Sequence, residues 1–482
     1  MMKLSVSEIA RATGGQVICG DPQRIVENIS TDSHKMKGAD LFVPIKGARV
    51  DGHRFICDAA EAGAAAAFTA YELEQVEELC GRKEIPLALI RVDDTRKALQ
   101  DLGAYYREQY VRIPYIGVTG SVGKTTVREM IACALSAERR VYSTKGNANS
   151  QTGVPITVTE TDPSAEIGVI EMGISEFGEM SRISRVVCCD MAVVTVIGVS
   201  HIGNLGTQEN IMREKLKICE AMHEGGILLL NGDDPLLSRG DIRSFLPENA
   251  EDKKIRILYY GTGGNAEVRA ANVKSPGGFA EFDLMIEGRK AAYVKLGVPG
   301  SHMVLNALAA LAAAYYNGVD PEKAAGALSA FRSLDGRGRI FEAKGIRVIN
   351  DAYNAAPQSM KAGLQILNDT EAAGRRFAVL ADMMELGPDE ESYHREVGSF
   401  LAEKAGRIDT VVLYGERALW IADGMKEGRM DSGLPRICMF GAMEELKQFL
   451  EQELRAGDAV LFKGSNSMKL GALVTQLFEQ ED

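Results

Sequence analysis

Residues 117–126 read GVTGSVGKTT, and this stretch restricts the fold more than any other part of the chain. The apolar run before it, residues 113–118, is typical of a buried strand, and residues 126–135 after it are typical of an amphipathic helix. Glycines between a strand and a helix let backbone N–H groups turn toward phosphate oxygens at the positive end of the helix. The pattern therefore predicts a strand–loop–helix unit that binds a nucleoside triphosphate.

Each predicted phosphate contact in this loop has a chemical reason. Lys124 is long enough to reach the terminal phosphates, and the Thr125 hydroxyl is suited to Mg²⁺. The rest of the predicted nucleotide-binding loop consists of Gly120, Ser121, Gly123 and Thr126. The spacing departs from the GxxxxGK[ST] form because Val118 occupies the first glycine position. The alternative interpretation is a glycine-rich turn without a ligand.

The length and charge of the chain narrow the class of protein. At 482 residues it is too long for one hydrophobic core, so about two to four domains are expected. A net charge of -12 argues against nucleic acid or an anionic membrane surface as a general partner. Because no apolar run approaches the length of a membrane span and the first residues lack a secretory signal, we expect a cytoplasmic protein. The eight scattered cysteines are expected to be free thiols.

Three blocks of alternating patterns divide the chain. Residues 1–111 are expected to form a small mixed α/β domain with an alanine-rich helix at 58–67. Residues 112–333 favour a central P-loop domain with a mostly parallel sheet, followed by an antiparallel patch over 255–298. Residues 334–482 favour a Rossmann-like, doubly wound C-terminal domain. The predicted fold class is therefore α/β with three domains.

Two more predicted strands of the central block end in polar groups. The run IGVIE ends in Glu171, and the run MAVVTVIGVSH ends in His201. Because ligands bind outside the carboxyl ends of parallel strands, both side chains are expected in one crevice with the glycine loop. Glu171 suits Mg²⁺, directly or through water, and His201 is a less usual ligand. The alternatives are a solvated strand end for Glu171 and a helix-capping neighbour for His201.

Four further side chains are candidates for binding. Lys215 lies on a predicted helix among charged neighbours, which favours a solvated face. Asn306, on an alanine-rich helix, offers a donor and an acceptor to an adenine edge, or else a contact between two helices. Arg337 stands between glycines and can reach a phosphate across a domain gap. Asp351 can accept from a ribose hydroxyl, with a simple turn as the alternative.

These residues, together with four longer motifs, resemble the Mur ligase family of ATP-dependent amide ligases. The motifs are TDS at 31–33 with DLFVPIKGARVDGHRF at 40–55, GNANSQTGVP at 146–155, LADMMELG at 380–387 and KGSNSMK at 463–469. The resemblance covers all three blocks and implies ATP and Mg²⁺ as cofactors. It also implies UDP-N-acetylmuramoyl-tripeptide and D-alanyl-D-alanine as small-molecule substrates, with the UDP end held by the first domain.

The resemblance also implies roles for individual residues. The implied metal positions are Thr125, Glu171, His201 and Lys215, the last being where relatives carry a carbamylated lysine. The implied catalytic residues are Lys124, His201, Lys215 and Asn147. The implied ATP contacts outside the loop are Asn306, Arg337 and Asp351. The implied substrate-binding residues are Ser33, Lys46, Asn354 and Lys463. We expect the enzyme to be a monomer.

Three positions depart from the family's pattern. His34 after TDS and Asn466 in KGSN stand where relatives often have arginine, and Ala381 replaces a frequent glycine. Three other functions remain as alternatives: an amide ligase of the folylpolyglutamate synthase type, a nucleotide-dependent switch, and a catalytically silent assembly partner. The TDS and LFVPIKG motifs argue against the first, and the absence of an NKxD motif argues against a guanine-nucleotide switch.

Overall fold

The computed structural model describes residues 2–47, 49–82, 85–404, 406–427 and 435–479. The described strands form one sheet of five, one of nine and one of six strands, together with a two-stranded ribbon. Each large sheet lies within one of the three predicted blocks, and the fold is the α/β class predicted from the sequence. The exact domain boundaries stay predictions. No helix of the described ranges is long and apolar enough to cross a bilayer.

The N-terminal domain has a five-stranded sheet in the order β2-β7-β6-β5-β4, beside a β1-β3 ribbon. Its elements are β1 Leu4–Ser5, α1 Val6–Thr13, β2 Gln16–Cys19, β3 Ile25–Val26, β4 Asn28–Ser30, β5 Asp40–Phe42, α2 Ile56–Glu61, β6 Ala66–Thr69, α3 Leu73–Leu79, β7 Ala88–Arg91 and α4 Thr95–Tyr110.

The alanine-rich helix predicted at 58–67 is wrong in its second half. Helix α2 ends at Glu61, and the chain then turns through Gly63, whose φ is +94°. Residues Ala66–Thr69 form strand β6 in the middle of the sheet, where all four are buried. Alanine favours a helix by intrinsic propensity, but its small side chain also fits a strand that is covered on both faces, and burial decided the outcome.

The middle domain has a nine-stranded sheet in the order β16-β15-β14-β13-β12-β11-β8-β10-β9. Its elements are β8 Tyr115–Thr119, α5 Lys124–Leu135, β9 Val141–Ser143, α6 Gly153–Thr159, β10 Ile167–Glu171, α7 Glu179–Val187, β11 Met191–Val194, α8 Ile202–Leu205, α9 Gln208–Leu216, β12 Ile227–Asn231, α10 Asn249–Asp252, β13 Arg256–Gly261, β14 Val268–Lys274, β15 Phe279–Ile286, β16 Arg289–Pro299, α11 Met303–Tyr316 and α12 Pro321–Ala330.

The three central strands of this sheet bring the predicted site residues together. Strand β8 lies between β10 and β11 and is parallel to both. All residues of β8 and β10 are buried, because helix α5 covers one face of the sheet and helices α6 and α7 cover the other. The strands from β8 to β14 are parallel, and β14, β15 and β16 pair antiparallel. The antiparallel patch predicted over 255–298 is therefore confirmed for β14 to β16 and wrong for β13, which is parallel to its neighbours.

Helix α4 of the N-terminal domain packs against α6 and α7 of the middle domain. Its buried Leu99 and Leu102 belong to the same apolar core as Val154 and Ile183. The N-terminal domain is therefore fixed on the middle domain by a shared hydrophobic core rather than by a loose linker.

The C-terminal domain has a six-stranded sheet in the order β17-β18-β22-β19-β20-β21, parallel except for β17. Its elements are β17 Arg339–Ala343, β18 Ile346–Asn350, α13 Pro357–Asp369, β19 Arg376–Ala381, α14 Glu390–Lys404, β20 Thr410–Tyr414, α15 Leu419–Glu427, β21 Arg436–Phe440, α16 Met443–Glu453, β22 Ala459–Lys463 and α17 Leu470–Phe478. The edge strand β17 was not predicted, because its sequence begins in a glycine-rich run.

The expectation of free thiols is wrong for one pair of cysteines. Cys57 on α2 and Cys80, which follows α3, form a disulfide with their Cα atoms 5.7 Å apart. Both belong to one apolar cluster under the N-terminal sheet. The pairing depends on where α2 and α3 pack, so the spacing of the cysteines along the chain did not indicate it.

Candidate active site

A cavity of about 560 Å³ lies between the middle and C-terminal domains, at the carboxyl ends of the central strands. It contains most of the predicted site residues. The middle domain contributes Ser121, Gly123, Lys124, Thr125, Thr126, Asn147, Glu171, His201 and Asn306. The C-terminal domain contributes Arg337, Asp351, Asn354 and Lys463. We call this cavity the crevice.

The glycine loop is shaped to receive an anion. Gly120 has a φ of +149°, and a Cβ added to it would overlap the Thr195 hydroxyl. The Lys124 ammonium donates to the carbonyls of Gly120 (2.9 Å) and Ser121 (3.4 Å) and has no carboxylate partner among the described residues. Burial lowers the pKa of Lys124, Glu171 acts in the opposite direction, and the Arg337 charge lowers it further. The buried Ser121 hydroxyl also has no hydrogen-bond partner in the part of the chain that the structure describes.

Glu171 is held in place by two residues that sequence reasoning missed. Its carboxylate is 1% exposed, and its Oε1 accepts a hydrogen bond of 2.6 Å from the Asn149 amide. The fully buried Arg128 guanidinium lies 3.5 Å from Oε2 and donates to the Gly146 carbonyl at 2.9 Å. The separation of 3.5 Å is an ion-pair contact and too long for a strong hydrogen bond, so Oε2 keeps no hydrogen-bond partner. The interpretation of Glu171 as a solvated strand end is wrong.

His201 connects the middle and C-terminal domains. Its Nδ1 lies 2.7 Å from Glu385 Oε2, an ion-pair contact, and the neighbouring His201 lowers the pKa of Glu385. The backbones of Gly203 and Gly387 are in contact beside this pair. The ring makes no capping bond to helix α8, so the helix-capping interpretation is not supported. In the described ranges, His, Cys, Asp and Glu side chains form no group of three that could hold a metal.

Lys215 is buried, and the solvated face favoured by its charged neighbours is wrong. Helix α9 turns this residue into the interior of the middle domain, where it is 2% exposed. Lys215 does not line the wall of the crevice. Its ammonium has no hydrogen bond or ion pair within the described ranges. Burial holds the pKa of Lys215 well below its usual range, the Lys124 charge lowers it further, and Glu214 opposes them. The lowered pKa shifts the amine toward its neutral, nucleophilic form.

The C-terminal wall of the crevice carries a stacked arginine and a buried ion pair. The Arg337 guanidinium lies 3.9 Å above the centre of the Tyr353 ring, and burial lowers the pKa of Arg337. The Lys463 ammonium donates to Asp351 at 2.5 Å and to the Asn354 carbonyl at 3.2 Å. Lys463, at the end of β22, therefore fixes the loop after β18 that carries Asp351 and Asn354.

Asn306 faces the glycine loop rather than a second helix. Its Oδ1 would lie 3.3 Å from a Cβ added to Gly123. Within the described ranges, its amide nitrogen donates a hydrogen bond only to the Met303 sulfur, at 3.4 Å. A weak sulfur acceptor leaves most of the hydrogen-bonding capacity of the amide free for a ligand.

A second cavity of about 580 Å³ lies between the N-terminal and middle domains. The predicted Ser33 lines it, whereas the predicted Lys46 does not, although its neighbours Ile45 and Gly47 do. Ser150 and Glu179 line both cavities. The two cavities therefore adjoin across a common wall. We call this second cavity the N-terminal cavity.

The loop beside the N-terminal cavity is held by a buried polar cluster. Asp51 accepts hydrogen bonds of 2.6 Å from both the Tyr71 hydroxyl and the His53 ring. Burial alone would raise the pKa of Asp51, but the hydrogen bonds from Tyr71 and His53 outweigh it and lower this pKa to about 2. His53 accepts from the Ala70 N–H at 3.0 Å, which connects the loop to the end of β6.

The sequence of each of the three domains matches a model of one family. Residues 25–107 match the Mur ligase family catalytic domain, residues 118–314 the Mur ligase middle domain, and residues 336–466 the Mur ligase glutamate ligase domain. The chain belongs to the Mur ligase family.

Individual relatives narrow the similarity further. The chain is 37% identical to the UDP-N-acetylmuramoyl-tripeptide–D-alanyl-D-alanine ligase of Bacillus subtilis, with 99% of each chain covered. It superposes on MurF from Acinetobacter baumannii with a TM-score of 0.86, 28% identity and all of both chains covered. MurF ligase from Thermotoga maritima, solved in complex with ADP, gives a TM-score of 0.76 at 26% identity, covering 94% of this chain and 97% of that one.

Proposed function

We propose that this protein is an ATP-dependent amide ligase that joins D-alanyl-D-alanine to UDP-N-acetylmuramoyl-tripeptide in peptidoglycan precursor synthesis. The observation that carries the proposal is the common wall of the two cavities at Ser150 and Glu179. A long substrate can place a nucleotide in the N-terminal cavity and its far carboxylate in the crevice. Whole-chain similarity to dipeptide ligases supports the same conclusion.

The proposed reaction has two chemical steps. The terminal carboxylate of the tripeptide attacks the γ-phosphorus of ATP, which gives an acyl phosphate and releases ADP. The free amine of D-alanyl-D-alanine then attacks the acyl carbon, and inorganic phosphate leaves as the amide bond forms. Lys124 and Arg337 stabilise the negative charge of the transferred group, since both lie in the crevice and neither pairs with a carboxylate of the described residues. Binding three substrates in one crevice supplies much of the acceleration.

The residues of the crevice fit a triphosphate with Mg²⁺. Glu171 presents an oxygen, Oε2, that is buried without a hydrogen-bond partner, and the Thr125 hydroxyl lies in the same wall. Both are the oxygen ligands that Mg²⁺ prefers. The proposed ligand set is completed by His201 and by a carbamate on Lys215, whose side chain lies outside the wall of the crevice but within electrostatic reach of Lys124. When bound, Mg²⁺ would supply positive charge at the phosphate oxygens.

Carbamylation of Lys215 is part of the proposal. A carbamate forms when a neutral amine attacks CO₂, and burial favours the neutral amine at this position. The product is anionic, so the Lys124 charge that disfavours the ammonium would stabilise it. Incubation with ¹³C-bicarbonate should give a carbamate signal in wild type and none in Lys215→Met. An active wild-type enzyme without that signal would refute this part.

Ligation itself is tested with purified protein. Phosphate release should require ATP, the UDP-linked tripeptide and D-alanyl-D-alanine together, and mass spectrometry should identify the UDP-linked pentapeptide. Lys124→Ala should abolish phosphate release. The control Lys145→Ala, at a lysine whose side chain is 77% exposed, should not. A product from folate and glutamate instead would favour the folylpolyglutamate synthase alternative. Phosphate release without any acceptor would favour a nucleotide switch.

Two further properties are proposed without a structural test. We propose a monomer in the cytoplasm, because one chain contains both cavities and the substrates are small molecules. Light scattering of the purified protein checks the first property, and cell fractionation checks the second.

A further inference from the structure

We infer that Glu385 positions the His201 ring for the metal ion of the crevice, and that metal binding and docking of the C-terminal domain therefore favour each other. The inference rests on the proposed function, in which His201 is a metal ligand. His201 lines the crevice, and its Nε2 makes no hydrogen bond with the described residues. Its Nδ1 lies 2.7 Å from Glu385 Oε2. A histidine that binds a metal through one ring nitrogen commonly contacts a carboxylate through the other, which fixes the orientation of the ring.

The contact replaces solvent for His201 and not for Glu385. The Glu385 side chain is 63% exposed, whereas that of His201 is 27% exposed, and the Nδ1 atom is buried from solvent. Within the described ranges the Glu385 carboxylate makes no other ion pair or hydrogen bond. Water can solvate an exposed carboxylate without the imidazole, but a buried Nδ1 depends on the group beside it. Glu385 is therefore suited to hold the ring, and not merely to pair with a surface charge.

Both residues of this pair have an unusual backbone conformation. The φ angle is +62° at His201 and +66° at Glu385, in the left-handed region that residues other than glycine rarely occupy. Residues held in such conformations are concentrated at ligand-binding and catalytic sites. Here the two residues belong to different domains and face each other. The backbone on both sides of the domain boundary is therefore shaped to bring one ring nitrogen to one carboxylate.

The loop that carries this carboxylate is held at two points within the C-terminal domain. It connects β19 to α14 and includes the end of the motif LADMMELG at 380–387. The Met383 N–H donates to Nε2 of the buried His394 at 3.0 Å. The Met384 N–H donates to the Ser465 hydroxyl at 2.9 Å. The carboxylate is thus presented from a fixed loop, as a positioning residue requires.

Docking of the two domains brings the pair together. Val199, which precedes His201, belongs to the apolar core of the C-terminal domain, and Ile202 packs against the same core. A Cβ added to Gly203 would lie 3.1 Å from the Gly387 Cα. The two backbones meet at this point because neither glycine carries a side chain. The contact between the ring and the carboxylate therefore forms while the domains are docked and is lost when they separate.

Coupling between the metal and the domains follows from thermodynamic linkage. Because the carboxylate reaches the ring in the docked state, the docked protein binds the metal more tightly than the undocked protein. The metal must then favour docking by the same factor. Loss of such a partner of a metal-bound histidine typically weakens metal binding about tenfold to a hundredfold, which sets the expected size of the effect.

Metal binding by the full-length protein tests the inference, with Mn²⁺ in place of Mg²⁺ and with the β,γ-methylene analogue of ATP. Electron paramagnetic resonance measures free Mn²⁺, and electron spin echo spectra show whether an imidazole ¹⁴N nucleus is coupled to bound Mn²⁺. Glu385→Ala should raise the Kd of Mn²⁺ about tenfold to a hundredfold. Glu385→Gln should recover part of the loss, because its amide oxygen can still accept from the ring N–H.

A second background separates positioning of the ring from simple attachment of the domains. In a protein that carries His201→Asn, Glu385→Ala should change the Kd of Mn²⁺ by less than about twofold. An equal loss in both backgrounds would mean that Glu385 only holds the domains together, and would overturn the inference. The matched control is Glu396→Ala, which removes a half-exposed carboxylate from an ion pair with Lys361 and should leave the Kd unchanged.

Hydrogen exchange measures the coupling to docking. With the ATP analogue present, Mn²⁺ should slow exchange of residues 382–387 in wild type and not in Glu385→Ala. Equal slowing in both proteins, or no slowing in wild type, would overturn the coupling.

The remaining outcomes are also decisive. If Glu385→Ala and Glu385→Gln bind Mn²⁺ within about twofold of wild type, the positioning role is overturned. If wild type shows no ¹⁴N coupling, His201 is not a metal ligand, and the inference fails together with that part of the proposed function. Formation of the UDP-linked pentapeptide tests ligation separately, so the two failures are distinguishable. Thermal unfolding without metal checks that the variants are folded.

Discussion

Removing the Arg128 guanidinium should destabilise the middle domain through Glu171. Both side chains are almost completely buried, at 0% and 1% exposure, and their charged atoms lie 3.5 Å apart. Arg128→Met leaves the Glu171 carboxylate with the Asn149 amide as its one side-chain hydrogen-bond partner in the described ranges. It also removes the contact of Arg128 with the partly exposed Glu129. A buried charge without its partner is much less stable than the intact pair or than two neutral groups.

The expected magnitude follows from the distance. The Coulomb attraction of unit charges at 3.5 Å is about 5 kcal/mol for an effective dielectric constant of about 20. Removing one partner of a buried ion pair lowers the free energy of unfolding by about 3–5 kcal/mol. We expect a similar loss for Arg128→Met. Glu171→Gln removes the charge as well, so the double variant should recover about 2–4 kcal/mol of that loss. The stability of Arg128→Lys should lie between that of wild type and that of Arg128→Met.

Hydrogen exchange of strand β10 is the appropriate assay, because the single tryptophan of the chain lies in the C-terminal domain. Exchange without nucleotide or metal gives the opening free energy of the strand in each variant. Arg140→Met is the matched control, since its ion pair with Glu166 at 3.7 Å is exposed and should contribute less than about 1 kcal/mol. If the effects of Arg128→Met and Glu171→Gln are additive in the double variant, with a coupling energy below about 0.5 kcal/mol, the two side chains do not interact as proposed.

Three further changes have outcomes that the structure specifies. Gly120→Ala should lower the Tm of the nucleotide-free protein, because its φ is +149° and the new Cβ would overlap the Thr195 hydroxyl; Thr195→Ala in the same chain should restore part of the Tm, and no restoration would contradict the steric explanation. Tyr353→Phe should keep kcat within about twofold whereas Tyr353→Leu should lower it about fivefold, because a ring face holds Arg337 through a contact of about 1 kcal/mol; equal effects in a phosphate-release assay would exclude the stacking role. Asp51→Asn should reduce the free energy of unfolding by at most about 2 kcal/mol at pH 6. The pKa of Asp51 is lowered from 3.8 to about 2 in the folded protein, so the wild-type advantage is present above pH 3.8 and is lost as the pH falls through 2. Urea unfolding at several pH values measures it, and a difference that persists at pH 2 would count against the cluster.

The sequence predicted those parts of the site that depend on neighbouring residues. Strand β10 was predicted with its observed bounds, because an unbroken apolar run is typical of a strand buried on both faces. The glycine loop was predicted because a strand pattern precedes it and a helix pattern follows it. The convergence of Glu171 and His201 on that loop followed from the rule for parallel strand ends.

Other features depend on contacts between distant segments and were therefore not predictable. Lys215 has charged neighbours in sequence, but the packing of α9 buries it. Asn149 lies two residues after the predicted Asn147 in the motif GNANSQTGVP. Its own role depends on the fold, which brings its amide to Glu171. The ion pair of Asp351 and Lys463 joins residues 112 positions apart. For Asn149 and Asp351 the partner comes from another element, and for Lys215 the packing of α9 overrides the local pattern.

The pairing of charges in the middle domain explains why Lys215 differs from the other buried ionisable groups. Glu171 has Arg128 beside it, and the buried Glu214 lies 2.7 Å from Lys217, so neither carboxylate is left for Lys215. A carboxylate partner would hold the amine in its charged form and make it unreactive toward CO₂. Burial without a partner costs stability, but the same burial lowers the pKa of the amine, and the neighbouring positive charge of Lys124 lowers it further. A carbamate at this position would convert an unfavourable pair of cations into a favourable pair of opposite charges, so the modification and the stability of the site would increase together.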